Sequence, residues 1–466
     1  MTGEVRHTIA TSVIGAVMPA RAQMASTLGF HIILACFGTA FPAIVLLAEF
    51  IGLRRHDETA MRLARRWSQV MGVLVAVGAV TGTVLSFEMG LLWPGLMREY
   101  GAVLGLPFGV EGIFFFLEAI FTAIYLYGWQ RVPGWAHWAS GLPIALSGIF
   151  GAMSVVAVNG WMNQPGGFTE RAGRIVAVHP WQVFFNHAAA YEMPHMILAA
   201  YMVTGFTVAG VYATGILRGR RDRYHSYGFA VAFVPAALLT PLQLLVGDSA
   251  ARAISHDQPV KFAAMEYVTN SSKHVPEWLG GVMLNGHIYG GIKIPDLDSL
   301  LVGFSSKARV TGLTSVAPAD RPPVAWLIHL CFDAMIGLGT VLLLLGLWAG
   351  YEWWRRRRLP LHRVFWFVGA ASGVAAICAM EAGWVVTEVG RQPWVVYRLQ
   401  TTAQAATTSG GVTTSLSFVI VLYAVLGTAT ILVLRALARR WHLRDRDEPV
   451  VPYAPRTGPP TEEAAA

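Results

Sequence analysis

Cysteine is scarce: Cys36, Cys331 and Cys378 are the only three in 466 residues, and each lies inside an apolar run. That excludes a disulfide framework and a CxxC metal site, and the three read as small core residues. Charge is scarce as well. Only 13% of residues are Asp, Glu, Lys or Arg, about half the usual soluble share. The first ~20 residues lack a compact apolar segment followed by a cleavage site, so the first true span is expected to act as the insertion signal. No internal repeat or inverted half is visible. What is present is apolar: 55% of the residues, with a mean hydropathy of +0.50. A disordered chain and an ordinary soluble globule are both excluded. The net charge of +8 comes from arginines clumped between apolar runs. That is the pattern of loops facing an anionic leaflet rather than of a nucleic-acid-binding surface.

Nine stretches reach the ~20 apolar residues that cross a bilayer: 24–53, 68–92, 108–129, 138–158, 181–214, 226–246, 323–350, 362–387 and 413–434. The fifth is long for one span, so part of it is expected to project into water. Arginine clusters follow spans one (Arg54, Arg55, Arg62, Arg65, Arg66), five (Arg218, Arg220, Arg221, Arg223), seven (Arg355 to Arg358, Arg363) and nine (Arg435, Arg439, Arg440, Arg444, Arg446). Arg131 follows span three, while the alternate connections carry Glu99, Glu170 and Glu388. The positive-inside rule then puts the N-terminus outside and the C-terminus in the cytoplasm. The expected architecture is an all-α integral membrane protein, with one nine-helix domain over 1–446 and a disordered cytoplasmic tail over 447–466. Residues 247–322 form one exceptional, long outer loop, read as a folded substrate loop.

Ionisable groups inside spans are costly and tend to mark function. Here they are His31 and Glu49 in span one, Glu88 in span two, Glu111 and Glu118 in span three, His187 and His195 in span five, His329 and Asp333 in span seven, and Glu381 in span eight. Two chemistries compete for such a set. Imidazole and thioether groups ligate haem iron; intramembrane carboxylates also relay protons or ions in transporters. Glu111 and Glu118, seven apart, fall on nearly one helix face. Lys261 and Glu266, five apart in a polar loop, would ordinarily be a solvated surface pair.

The order of several motifs resembles subunit I of the cytochrome bd family of quinol oxidases, from about Arg21 to Trp394. They are Arg21-x-Gln23 before Gly29-Phe30-His31, Glu111-Gly112 with Phe115-Phe116-Leu117-Glu118, Gly128-Trp129 with Arg131, Asn159-Gly160-Trp161-Met162, Lys261 to Glu266, Glu381-Ala382-Gly383-Trp384, and Gly390-Arg391-Gln392-Pro393-Trp394. The resemblance implies two haem b and a third haem, d or b, with quinol and O2 as substrates. It implies a second large membrane subunit, small single-span subunits, and a place in the bacterial cytoplasmic (inner) membrane. Carried over residue by residue, His31, Glu111 and Glu381 match the oxygen-reducing di-haem centre; which high-spin haem each serves stays open. His195 in Pro194-His195-Met196, with Asn186 nine residues earlier, matches one axial ligand of the low-spin haem b and is preferred to His187. Met335 matches the other. Lys261 and Glu266 match the quinol-contacting positions. Arg391, with Trp394, is placed near haem propionates, and Glu118 and Asn159 on the proton route. The reaction implied is electrogenic quinol oxidation without a proton pump.

Four features depart from the family pattern. Glu111 and Glu118 are seven rather than eight apart, which turns Glu118 by about 100° unless a local bulge restores it. Asp333 stands where relatives have Arg, and close to the iron it would lower the low-spin haem's potential. Glu88 stands where Gln is expected, as an extra protonatable site. The quinol loop is of the short type. Two rival readings are a proton- or cation-coupled transporter using the intramembrane carboxylates, and a non-catalytic b-haem anchor. Transporters commonly show repeats and broken helices, and an anchor explains neither the carboxylates nor the loop.

Overall fold

The computed structural model describes residues 3–284 and 287–444. Among them, nine helices are long and apolar enough to cross a membrane: α1 (Gly3–Arg55), α2 (Glu58–Leu92), α3 (Pro94–Gly128), α4 (Gly134–Asn163), α6 (Ala189–Leu217), α7 (Arg223–Asp257), α10 (Ala325–Arg356), α11 (Arg363–Gly390) and α13 (Val412–Arg444). Helix is the form in which a single segment satisfies its own backbone in lipid. Polar punctuation sets the ends. Asp57 caps α2 by accepting from the amides of Thr59 at 2.9 Å and Ala60 at 3.2 Å, Pro94 opens α3, and arginines close α1 and α10. Each effect is local to a helix end.

The crossings sort the connections onto two faces. One face carries the arginine-rich turns around 56–57, 129–133, 218–222 and 357–362. The other carries the folded connections. These are the hairpin β1 (Phe168–Arg171) and β2 (Arg174–Val178) with the short helix α5 (Pro180–Phe184), the long segment after α7, and the hairpin β7 (Trp394–Val396) and β8 (Gln400–Thr401) with α12 (Thr402–Ala405). In the long segment, α8 (Pro259–Met265) leads into two nested antiparallel hairpins and α9 (Leu297–Gly303). β4 (Val282–Leu284) pairs with β5 (His287–Tyr289) inside the pairing of β3 (Glu277–Leu279) with β6 (Ile292–Ile294).

Small residues let the helices approach. A Cβ on Gly148 of α4 would lie 2.7 Å from the Gly38 carbonyl oxygen of α1, and one on Gly373 of α11 only 2.5 Å from Cα of Thr207 in α6. In lipid such close packing replaces the hydrophobic drive as the main attraction between helices.

Three boundaries differ from expectation. The fifth stretch is not one helix; its extra length lies in the connection before α6, outside the span, as expected. Residues 180–184 form the separate α5, and Asn186 ends that turn by bonding the carbonyls of Ala157 and Val183 and the amide of Ala189, all at 2.9 Å. The outer loop begins later than 247, because α7 continues to Asp257 with Asp248 and Arg252 paired on its surface. α1 starts far earlier than residue 24. The expected tail, 447–466, lies outside the described residues, as does Arg446.

Candidate functional site

α6, α7, α10 and α11 enclose a cavity of about 350 Å³ that runs to the folded loop. His195 of α6 and Met335 of α10 both line it. Two glycines make room for them. A Cβ on Gly247 would sit 3.3 Å from Cε1 of His195, and one on Gly383 would sit 3.0 Å from Sδ of Met335. The Gln243 amide nitrogen lies 3.2 Å from Nε2 of His195, while Nδ1 is buried without a hydrogen-bond partner. Buried polar atoms are normally satisfied. An orphaned imidazole nitrogen in the same apolar cavity as a thioether is the donor set of a six-coordinate haem, so these residues fit that group. His187 takes no part: it is exposed and pairs with Asp257 at 3.2 Å.

Glu266, Glu277 and Asp298 line the loop end of the same cavity. Glu266 is only 6% exposed. Burial, then the charges of Asp298, Glu277 and Asp333, hold its carboxyl well above the usual range. Burial and Glu277 push Asp298 up to about 7. Asp333 points away from Met335 into the loop, where it accepts from the Gly280 amide at 2.5 Å and sits 3.3 Å from Nε2 of His329. Two residues along a helix is a turn of about 200°, so Asp333 and Met335 face different ways. His329 ties the loop down through the Met265 carbonyl at 2.5 Å and a stack on Tyr267 at 3.8 Å.

The acid cluster has a testable consequence. A carboxyl whose folded pKa is raised stabilises the fold fully below its ordinary value, 3.8 for Asp298, and that contribution is lost as pH rises through about 7. Amide hydrogen exchange in β3 and α9 is therefore expected to accelerate between pH 6 and pH 8 by more than the base-catalysed rise common to all amides. In Asp298→Asn the acceleration should shrink, and an unchanged pH response there would show that Asp298 is not its source.

Lys261 and Glu266 are not a solvated pair. Five residues apart on α8, they diverge by about 140°, and Lys261 is 3% exposed. Its Nζ reaches Thr387 Oγ1 at 3.4 Å, and its stem packs on Gly390. Burial pushes its ammonium down to about 8, against the opposing pull of Glu192. Arg391, also buried, bonds Glu388 at 2.6 Å and the Asn159 carbonyl at 3.5 Å. Asn159 donates to Glu388 at 2.5 Å; Asn163 donates to Asn159 at 2.7 Å and to Glu192 at 2.8 Å. Two cations and two carboxylates thus offset one another in a buried network. Lys261 is not on the cavity wall. Trp394 lies in β7, half-buried, and Trp384 rather than Trp394 lines the cavity.

The remaining candidates gather around α1. His31 Nδ1 meets Thr81 Oγ1 of α2 at 2.8 Å. Seven residues on, a Cβ at Gly38 would lie 3.2 Å from Glu118 Oε1. α1 and α3 run the same way, so seven residues back from Glu118 brings Glu111 to the depth of His31. α3 is helical from Pro94 to Gly128 without a π-turn, so no bulge corrects the seven-residue spacing, yet Glu118 still faces α1. Glu381 approaches the other side of α1: a Cβ at Gly29 would be 3.5 Å from its Oε2. Its Oε1 is buried and unpartnered. Glu88 accepts from Gln23 at 2.8 Å.

This sequence of spans matches known proteins along nearly its full length. The family model for cytochrome bd terminal oxidase subunit I matches residues 19–442. The chain belongs to the cytochrome bd terminal oxidase subunit I family. It is 32% identical to the putative cytochrome bd menaquinol oxidase subunit I of Bacillus subtilis, over 92% of this chain and 97% of that one. It is 29% identical to the same organism's cytochrome bd ubiquinol oxidase subunit 1, over 88% and 90%. The bd oxidase structure from Geobacillus thermodenitrificans superposes with a TM-score of 0.84 at 34% identity, covering 91% of this chain and 98% of that one. The chain is thus an oxidoreductase of the bacterial inner membrane with a terminal-oxidase role, in a family whose cofactors are haems. The transporter and anchor readings give way to that membership.

Sequence reasoning missed several members of this bd-type site. Glu192 and Asn163 neutralise and orient the Lys261–Arg391 network, and Gln243, Glu277 and Asp298 share the cavity wall with the expected residues. Glu192 carried a signal: an ionisable residue three before His195, in the first turn of the same helix.

Proposed function

We propose that this chain is the quinol-oxidising and oxygen-reducing subunit of a bd-type oxidase, with two haem b and one haem d or b. The observation that carries this reading is the single cavity with His195 and Met335 at one end and the carboxyls of Glu266, Glu277 and Asp298 at the other. The arginine-rich face is the cytoplasmic one and the folded loop lies outside, with the N-terminus. Quinol docks at the loop. Glu266 takes a quinol proton and releases it outward; its raised pKa makes it a stronger base once ionised. Lys261 acts through the network it anchors with Glu192 and Arg391, and Arg391 with Trp394 borders the haem propionates. His195 and Met335 would hold the low-spin haem, which with both ligands in place would pass electrons without binding oxygen. His31, Glu111 and Glu381 would hold the di-haem centre. When bound, the haems carry electrons from quinol to oxygen, chemistry the protein itself cannot supply. Glu118 brings protons from the cytoplasmic side, so quinol oxidation outside and proton uptake inside separate charge without a pump. A second large subunit and small single-span subunits complete the assembly.

A reduced-minus-oxidised spectrum with haem extraction tests this reading; a preparation without haem overturns it. A second test uses pH. Only ionised Glu266 accepts a proton, so quinol oxidation should rise with pH toward its elevated pKa. Glu266→Gln should flatten that rise and slow turnover by about a hundredfold, within the range for a lost general base. Wild-type pH dependence in the variant would remove Glu266 from the quinol site.

A further inference from the structure

One buried cluster is left unused by this chemistry. At the arginine-rich end, Glu49 of α1 and His137 of α4 are both fully buried. Tyr125 of α3 donates its hydroxyl to Glu49 Oε2. His137 Nδ1 lies 2.7 Å from Glu49 Oε1, and its Nε2 lies 2.9 Å from the Tyr125 carbonyl. A carbonyl oxygen only accepts, so Nε2 carries a hydrogen. Carboxyl, imidazole and phenol are thus joined in one buried chain of hydrogen bonds.

The position of this cluster is what makes it more than a clamp. On α1, His31, Gly38 and Glu49 are spaced by seven and eleven residues, each within about 20° of a whole number of turns. On α3, Glu111, Glu118 and Tyr125 are spaced by seven and seven. The two stripes face each other: Glu118 stands against Gly38, and Tyr125 against Glu49. Between Glu118 and Tyr125, on the same face of α3, lies Thr122. Its hydroxyl is buried and makes no hydrogen bond among the described residues, so it can both donate and accept. α4 closes the side. Gly141 admits the Tyr125 ring, whose Cε2 would be 3.0 Å from a Cβ there, and Gly148 seats on the Gly38 carbonyl. His137 is one turn from the exposed connection at Arg131.

We infer that Glu49, His137, Tyr125 and Thr122 form the cytoplasmic entry of the proton path that ends at Glu118 and Glu111. This inference rests on the oxidase reading and on the arginine-rich face being cytoplasmic. Each transfer is a proton hop without electrons. Tyr125 passes its hydroxyl proton toward Thr122 and Glu118 and takes one from the Glu49–His137 pair, which is then reprotonated, at the carboxylate or at Nδ1, from the cytoplasmic surface. Reduction of one O2 to two waters, with four electrons from two quinols, draws four such protons.

The test uses the assembled oxidase with Tyr125→Phe, which keeps the ring and its packing, and Glu49→Gln. Trp138→Phe is the control. It removes a 3.1 Å bond from Trp138 to the Leu46 carbonyl that links α4 to α1 at the same depth but off the stripe. Haem content by optical spectrum is expected to be unchanged in all three. Oxygen consumption should fall about tenfold or more in Tyr125→Phe and Glu49→Gln, with a larger solvent deuterium isotope effect and unchanged quinol KM. Trp138→Phe should turn over normally. In reduced-minus-oxidised infrared spectra, a carboxyl band of the wild type should be lost in Glu49→Gln. Wild-type turnover and isotope effect in a fully haem-loaded Tyr125→Phe would overturn the relay, as would equal losses in Trp138→Phe, which would mark a purely structural clamp. Absence of haem or oxidase activity from the unsubstituted protein would instead fail the oxidase reading.

Discussion

Met335→Leu is expected to lower the potential of the low-spin haem, alter its spectrum and cut quinol oxidation by more than tenfold. Leucine matches methionine closely in volume, so the cavity beside Gly383 is kept. What is lost is the thioether sulfur, and a His/Met axial pair is what raises a haem's potential. Loss of residues that merely support a metal ligand already costs about 10–100-fold, so loss of a ligand itself should cost at least as much. His195→Ala should remove that haem outright, because the imidazole has no neighbour able to replace it: Gln243 offers an amide. An unaltered low-spin spectrum and potential in Met335→Leu would take Met335 out of the site.

Glu381→Gln should deplete the high-spin haems and abolish most oxygen reduction while leaving the low-spin spectrum in place. The argument rests on a comparison within α11. Glu388, two turns along, has both oxygens engaged, one by Asn159 and the other by Arg391. Glu381 has a buried oxygen with no partner, beside Gly29 and two residues from the depth of His31. Of the two carboxylates it is the one with a coordination site to offer. Glu388→Gln should instead loosen Arg391 and the network around Lys261. If haem loss follows Glu388→Gln and spares Glu381→Gln, the assignment of the eighth-span carboxylate is reversed.

The nine spans were legible because hydrocarbon imposes one rule on every residue: about 20 apolar positions per crossing, with the backbone bonded within the helix. Runs such as 68–92 and 413–434 obey it without help from the rest of the chain. The motif residues were legible for a related reason. Ionisable groups such as His31, Glu118 and Glu381 stand out where charge is expensive. Less legible were the places where water, rather than lipid, borders the chain. The break at Asn186 and the extension of α7 to Asp257 depend on capping and loop packing, and an apolar run looks the same on either side of them.

Membrane class, helix order, the two faces of the bundle and the family are all readable in the chain before it folds. Each follows from composition along the chain, which lipid reads one residue at a time. Only the tertiary structure decided which groups meet. Lys261 turns into a buried network while Glu266 turns toward an acid cluster; Asp333 bonds the loop instead of facing Met335; and Glu49 joins His137 and Tyr125 from three helices. Spacing along one helix fixes a side chain's direction, but the partner across the gap is set by how close small residues such as Gly38, Gly148 and Gly383 let the neighbouring helices come.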